Sequence, residues 1–284
     1  MKPSSPNSTA RSAGPQACAS IIRLALTEDI GSGDVTTNAC IPESTRAKGV
    51  FLAREPLVVA GLDLLEEIYE HPVSLQHQNG DRCDEGAVLA TIQGPARLLL
   101  TRERVALNFL QRLSGVATLA RQFADAVAGT SCRVLDTRKT TPGFRALEKA
   151  AAAAGGVHNH RMGLYDAILI KNNHIAVAGG IRAAIDRAHA ASALPIEIEV
   201  RTRAELREAL ACNAAHLLLD NLTPAEAADW IREIAGSATV ELSGGITLQT
   251  ARAYAESGAD FISSGAITHS ARAVDISFRL ELIR

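Results

Sequence analysis

The sequence predicts an α/β protein: an incomplete, open α/β barrel preceded by a small α+β sandwich domain with an antiparallel sheet. Two observations carry this. Beyond about residue 130, short apolar runs alternate with helical stretches. The last four runs, centred near residues 198, 219, 241 and 262, recur about every 21 or 22 residues, room for one strand, one loop and one helix each. Before about residue 95, strand-like runs are separated instead by the turn signals Asn79-Gly80-Asp81 and Asp84-Glu85-Gly86, as in an antiparallel sheet.

Residues 1–16 are rich in Ser, Pro, Ala and Asn and lack an apolar stretch, so they read as a disordered extension and not a signal peptide. Ala17 to Glu28 is an amphipathic helix, apolar through Ile21, Ile22, Leu24, Ala25 and Leu26, and stopped by Gly31 and Gly33. Strands follow near 47–53, 57–60, 73–78 and 88–93, with a helix over 62–71 among them. Pro95 opens a long helical region to about Val127, which Ser114-Gly115 should interrupt. Barrel strands then fall at Val134, 168–170, 196–200, 217–219, 240–242 and 261–262; six or seven such strands fit, fewer than a closed barrel's eight. The tail 276–283 alternates with period two, as would a half-exposed strand returning to the first domain. The expected layout is thus an extension over 1–16, a sandwich over 17–115 that 276–284 rejoins, and a barrel over 116–275.

Bulk properties narrow the function. The chain is 47% hydrophobic with a net charge of -2, which argues against a nucleic-acid binder and confines any positive potential to a cleft. Five scattered cysteines without a C-x-x-C suggest neither a disulfide framework nor a zinc site, and no run reaches the length of a membrane span. A cytoplasmic setting is expected. The eight histidines include no H-x-x-x-H pair; His158 and His160, two apart in a loop, are only a weak sign of metal.

The chemistry gathers at strand ends, where barrel enzymes keep their sites. After the apolar run 132–135, the loop Asp136-Thr-Arg-Lys-Thr-Thr-Pro-Gly-Phe-Arg145 holds the cations Arg138, Lys139 and Arg145, and Pro142-Gly143 prevents regular structure there. The theme repeats at His160-Arg161 and at Lys171 after Ile168-Leu-Ile170. Cations at the ends of apolar runs are costly to desolvate unless an anion meets them, which points to an anionic substrate. Strand 196–200 carries Glu197 and Glu199 on one face; a half-exposed strand with solvated acids accounts for this as well as a site does. The next strands end in Asp220-Asn221, Ser243-Gly244-Gly245 and Ser263-Ser264-Gly265. Glycine turns ahead of helix N-termini on the last two loops form the common phosphate station of barrels. Lys171 reads as a snorkelling lysine, a Schiff-base lysine or a carboxylate ligand; the neighbouring Arg138, Lys139 and Arg161 favour the last.

Taken together these segments resemble the quinolinate phosphoribosyltransferase family, from Ala25-Leu-Thr-Glu-Asp-Ile-Gly-Ser-Gly-Asp34 to Ile267-Thr-His-Ser270. The most specific pieces are Glu103-Arg-Val-Ala-Leu-Asn108, Asp136 to Gly143, His160-Arg161, Ile170-Lys-Asn-Asn-His174, Leu219-Asp-Asn221 and Ser243-Gly-Gly245, and Glu197-Ile-Glu199 matches the family's E-x-E. The resemblance implies a dimer with shared active sites, a magnesium requirement, and conversion of quinolinate and 5-phosphoribosyl-1-pyrophosphate to nicotinate mononucleotide, pyrophosphate and carbon dioxide. It further implies that Arg138, Lys139, His160, Arg161 and Lys171 bind quinolinate, with Arg104 entering from the partner subunit. Glu199 and Asp220 would hold the ribose hydroxyls and magnesium, directly or through donor and water, and with Lys139 serve catalysis. Ser243, Gly244, Gly245, Ser264, Gly265 and His269 would hold the 5-phosphate. A phospholigand sensor on the same scaffold would need the cationic grip but not Glu199 and Asp220, and the related molybdate-uptake protein would not need so dense a dicarboxylate grip.

Overall fold

A computed structural model describes residues 15–283. The expected extension therefore lies, up to residue 14, outside the described residues, and its last two positions already belong to α1 (Pro15–Ile30). The chain forms two compact units. One comprises the described residues up to 121 together with 140–156 and 267–283; the other comprises 122–139 and 157–266.

In the first unit Asp34 starts α2 (Val35–Cys40) by accepting a hydrogen bond from Thr37 N at 2.9 Å, a cap not foreseen from the sequence. Then come β1 (Arg46–Ala53), β2 (Leu57–Val58), a 3₁₀ turn over Leu62–Leu64, α3 (Leu65–Tyr69), β3 (Val73–Leu75), β4 (Arg82–Cys83), β5 (Val88–Pro95) and α4 (Ala96–Ala126). The tail is strand β12 (Ile276–Leu282), and the antiparallel sheet runs β12-β1-β5-β3. Phe51 pairs with Phe278 across it, ring centroids 4.6 Å apart, and Tyr69 stacks on Phe278. Gly49 leaves room for the Phe278 ring, which a Cβ there would meet at 2.2 Å.

The helix expected to break at Ser114-Gly115 is continuous over 31 residues. Both residues serve packing instead. Ser114 Oγ accepts from Ala60 N at 3.0 Å, and Gly115 admits the Arg272 carbonyl, which a Cβ would meet at 1.9 Å. Nearby, α5 (Arg145–Ala154) carries the fully buried Glu148. Its Oε1 accepts from Arg112 Nε at 3.1 Å, Arg112 Nη2 at 2.6 Å and Thr141 Oγ1 at 2.8 Å; its Oε2 accepts from Thr141 N at 3.0 Å. Arg112 also donates to the carbonyls of Thr268 and Ala271.

The second unit is a six-stranded parallel sheet wound with helices. Its strands are β6 (Arg133–Leu135), β7 (Ile168–Ile170), β8 (Ile196–Val200), β9 (His216–Asp220), β10 (Thr239–Ser243) and β11 (Phe261–Ser263), in the order β6-β11-β10-β9-β8-β7. β6 and β7 are edges, so the barrel is open, and among the described residues an isolated bridge of Leu135 with His158 adds to β6. Capping boxes begin the helix Arg203–Ala211 through Thr202 and Glu205 and the helix Pro224–Ile234 through Thr223 and Glu226. Alternation assigns Ile198, Leu217, Leu219, Val240, Leu242 and Ile262, all buried, to one face, and Glu197, Glu199, Asp220, Glu241, Ser243 and Ser263 to the other. All five cysteines are free, and among the described residues no helix is long and apolar enough to cross a membrane.

Candidate active site

The C-terminal strand ends of the second unit bring together most of the residues picked out from the sequence. β6 delivers Asp136, Arg138 and Lys139; β7 delivers Lys171, β8 Glu199, β9 Asp220, β10 Ser243 and β11 Ser264 and Gly265. Glu199 is buried, with the exposed Lys171 Nζ 3.9 Å from its carboxylate, so the alternative of a solvated acid fails at this position. Asp220 is half-buried and its Oδ2 accepts from Asn221 Nδ2 at 2.7 Å. Arg104 and His269 lie in the first unit, both exposed: Arg104 on α4, His269 with Nδ1 2.6 Å from Ser270 Oγ.

The two glycine turns are tied by their neighbours. Asn221 N donates to the Ser243 carbonyl at 2.9 Å, and Asn221 sits against Gly244, where a Cβ would lie 2.3 Å from its Oδ1. Gly244 has φ +99°, so glycine is required there on both counts. Ser264 is buried; its hydroxyl donates to Ile246 O at 2.7 Å and its N–H to Leu135 O at 3.2 Å. Its side chain thus shapes the turn.

Arg161 is buried and its Nη1 donates to Ala167 O at 3.0 Å. Burial first, and then the charge of Arg138, pull its guanidinium below the ordinary arginine range, against the opposite pull of Asp166 and Glu197. Two guanidiniums close enough to repel in a buried setting are relieved by an anion.

Beneath them is a cluster the sequence did not reveal. His160 Nε2 lies 3.2 Å from Glu197 Oε2 and 3.4 Å from Glu241 Oε2. Burial pulls the imidazole down, but Glu241 and Glu197 outweigh it and push it up to about 10. Glu197 is pushed up by burial and then by Glu241, whereas Glu241, despite burial, is drawn down by His160. The three groups share their protons, so that raised value belongs to the cluster and not to the ring alone. Nδ1 accepts from Arg161 N at 2.7 Å, so it carries no hydrogen and the ring is the Nε2–H tautomer. The three ligand-type atoms lie within 4.8 Å of one another, a spacing that suits a metal ion, but a protonated Nε2 has no lone pair to offer one. Glu241, two residues before Ser243 and so on the same strand face, was findable only by extending the strand-end argument one layer down.

Residues 34–114 match the family model of the quinolinate phosphoribosyl transferase N-terminal domain, and residues 116–279 that of its C-terminal domain. The chain is 40% identical over 264 residues to a probable carboxylating nicotinate-nucleotide pyrophosphorylase of Bacillus subtilis, covering 90% of each chain. It is 42% identical over 271 residues to the carboxylating nicotinate-nucleotide pyrophosphorylase of Mycobacterium leprae, covering 91% of this chain and 95% of that one. The solved nicotinate-nucleotide pyrophosphorylase of Francisella tularensis superposes with a TM-score of 0.92 at 34% identity, covering 97% of this chain and all of the other. An open parallel barrel with cations and carboxylates at its strand ends, joined to a sandwich whose sheet its own tail completes, agrees with these likenesses over nearly the whole sequence: the chain belongs to the quinolinate phosphoribosyltransferase family.

Proposed function

We propose that the chain transfers the phosphoribosyl group of 5-phosphoribosyl-1-pyrophosphate to quinolinate and decarboxylates the product, giving nicotinate mononucleotide, pyrophosphate and carbon dioxide in NAD biosynthesis. The observation that carries this is the gathering of cations at the strand ends: Lys171 Nζ lies 3.9 Å from the carboxylate of buried Glu199, and Arg138 is near enough to buried Arg161 to lower it. Quinolinate is a dianion with adjacent carboxylates, and charge-assisted hydrogen bonds from Arg138, Arg161 and Lys171 are of the strong kind. Lys139 completes the grip, and His160 supports it.

Loss of pyrophosphate leaves oxocarbenium character on the ribose, which the carboxylates of Glu199 and Asp220 stabilise while they hold the ribose hydroxyls. The glycine turns after β10 and β11 take the 5-phosphate. The ring nitrogen attacks the anomeric carbon and becomes cationic. The electron pair of the breaking carbon–carboxylate bond then flows toward that nitrogen, carbon dioxide departs, and a proton takes its place on the ring. Carboxylate oxygens suit a hard cation, so Glu199 and Asp220 are the residues that would meet magnesium, directly or through donor and water. That ion would supply charge neutralisation to the leaving pyrophosphate. The working form is a cytoplasmic homodimer, in which Arg104 reaches the partner's site; five free cysteines suit a reducing compartment.

The test is to incubate the pure protein with quinolinate, the pyrophosphate donor and magnesium and to measure carbon dioxide and nicotinate mononucleotide. Equimolar release of both supports the reading. No release, or equal turnover of nicotinate, overturns it. Borohydride trapping of an aldehyde or ketone substrate on Lys171 would favour a Schiff-base enzyme instead.

A further inference from the structure

Arg161, taken as a quinolinate ligand on the reading above, is held from behind by a continuous chain of hydrogen bonds. Asp136, fully buried after β6, accepts from His160 N at 2.8 Å through Oδ1 and from Asn159 Nδ2 at 2.6 Å through Oδ2. His158 N donates to Val134 O at 2.8 Å and Asp136 N to His158 O at 3.0 Å, so the segment 158–160 is laced to the edge of the sheet. The His160 ring then turns inward. Its Nδ1 takes the Arg161 N–H, and its Nε2–H points between Glu197 and Glu241. Both ring nitrogens are thus engaged within the chain, and neither is left for a ligand.

Glu241 is the informative member. It is 4% exposed, and its Oε1 lies buried with no hydrogen-bond partner among the described residues. A buried carboxylate with one oxygen unmatched costs stability, and an apolar residue at this strand position would relieve that cost. Its other oxygen lies 3.4 Å from His160 Nε2, which gives the carboxylate a part in the site. Glu241 and Glu197 can accept only from a ring that keeps its hydrogen on Nε2, and that ring alone offers a bare Nδ1 to the Arg161 amide. A reversed tautomer would set two N–H groups against each other at 2.7 Å.

We propose that Glu241 is a positioning residue: by fixing the tautomer and orientation of His160 it sets the backbone of Arg161, and through it the guanidinium that receives a carboxylate of quinolinate. His160 acts behind the substrate rather than on it. Glu197 shares the role from β8, and Asp136 anchors the same segment by its backbone.

The experiment uses the full-length protein and two titrations, quinolinate and the pyrophosphate donor, by calorimetry. Glu241→Ala should weaken quinolinate by about ten- to hundredfold, as loss of an orienting partner does, and leave the donor within about threefold. Glu241→Gln keeps an acceptor for Nε2–H and should recover most of the lost affinity. Equal losses for both ligands, no loss for either, or a Gln variant as impaired as Ala would overturn the proposal. Wild-type protein that binds neither ligand would instead defeat the functional reading, so the two failures are distinct. Nitrogen NMR of the histidine-labelled wild type, with His160→Asn to assign the signal, gives a readout that does not depend on the Glu241 variants folding. A neutral Nε2–H ring supports the device; an imidazolium or an Nδ1–H ring overturns it.

Discussion

Glu148 offers the sharpest test of how the first unit is held together. Its carboxylate is fully buried and accepts four hydrogen bonds, two from Arg112 and two from Thr141. Replacing it with Ala strands the Arg112 guanidinium in a partly buried site and frees two Thr141 donors. Breaking a buried ion pair from one side costs about 3–5 kcal/mol. For a unit of this size each kcal/mol lowers the melting temperature by about 2–4 °C, so Glu148→Ala should melt roughly 6–20 °C early. Arg112→Ala should destabilise similarly, because it also leaves the carbonyls of Thr268 and Ala271 without their donor. The double variant should cost clearly less than the two singles together, since each single includes the penalty of stranding the other partner. Thermal unfolding by circular dichroism reads all three. A Glu148→Ala protein melting within about a degree of wild type, or strict additivity in the double variant, would refute the reasoning.

Three further outcomes are expected. Arg138→Ala should weaken quinolinate by about 2–5 kcal/mol, as truncating one partner of a buried charge pair does, and spare the donor; calorimetry giving equal losses would count against it. Arg104→Ala and Lys139→Ala should each be nearly inactive, yet mixing and reassorting them should restore about a quarter of wild-type activity per site, because half the dimers are hybrids with one intact site each. Mixtures that stay inactive while mass spectrometry shows hybrids would mean that each site is built within one chain. Glu55, paired with Arg272 and accepting from Asp275 N at 2.7 Å, is depressed to about 2 by those hydrogen bonds. A lowered folded-state value means its contribution is present above the unfolded carboxylate range and is lost as pH falls through about 2, so the stability gap between wild type and Glu55→Gln should be full at pH 6 and close on acidification.

The parallel strands were readable because an apolar run of three to five residues, repeated at a fixed period with helical stretches between, matches little besides a β-α repeat. The antiparallel half was less so. β2 and β4 are two residues each, too short for any periodicity, and α2 depends on a single capping aspartate. Gly115 misled because a glycine that breaks a helix and one that admits a neighbouring carbonyl look the same in sequence. At the site, the cations after β6 and β7 stood out because three fall within ten residues of one loop and the theme returns at His160-Arg161 and Lys171. Glu197 and Glu199 shared a strand face, but which face is buried is decided by strands 20 to 40 residues away. Glu241 looked like one more strand acid, and only the turn of His160 toward it gives it meaning.

The pairing of β12 with β1 has a consequence for synthesis. β1 ends at Ala53, whereas β12 begins at Ile276, so roughly 220 residues of chain must follow before the sheet acquires its last strand. At about 5–20 residues per second the nascent chain spends roughly 10–45 s with the β1 edge, Ala47 to Ala53, unpaired. Through that interval the ribosome-bound protein presents an open strand template, the feature that seeds aggregation. Chains that stop before 276 would keep that edge permanently and are expected to self-associate through it, so the sheet becomes safe only once β12 has been made.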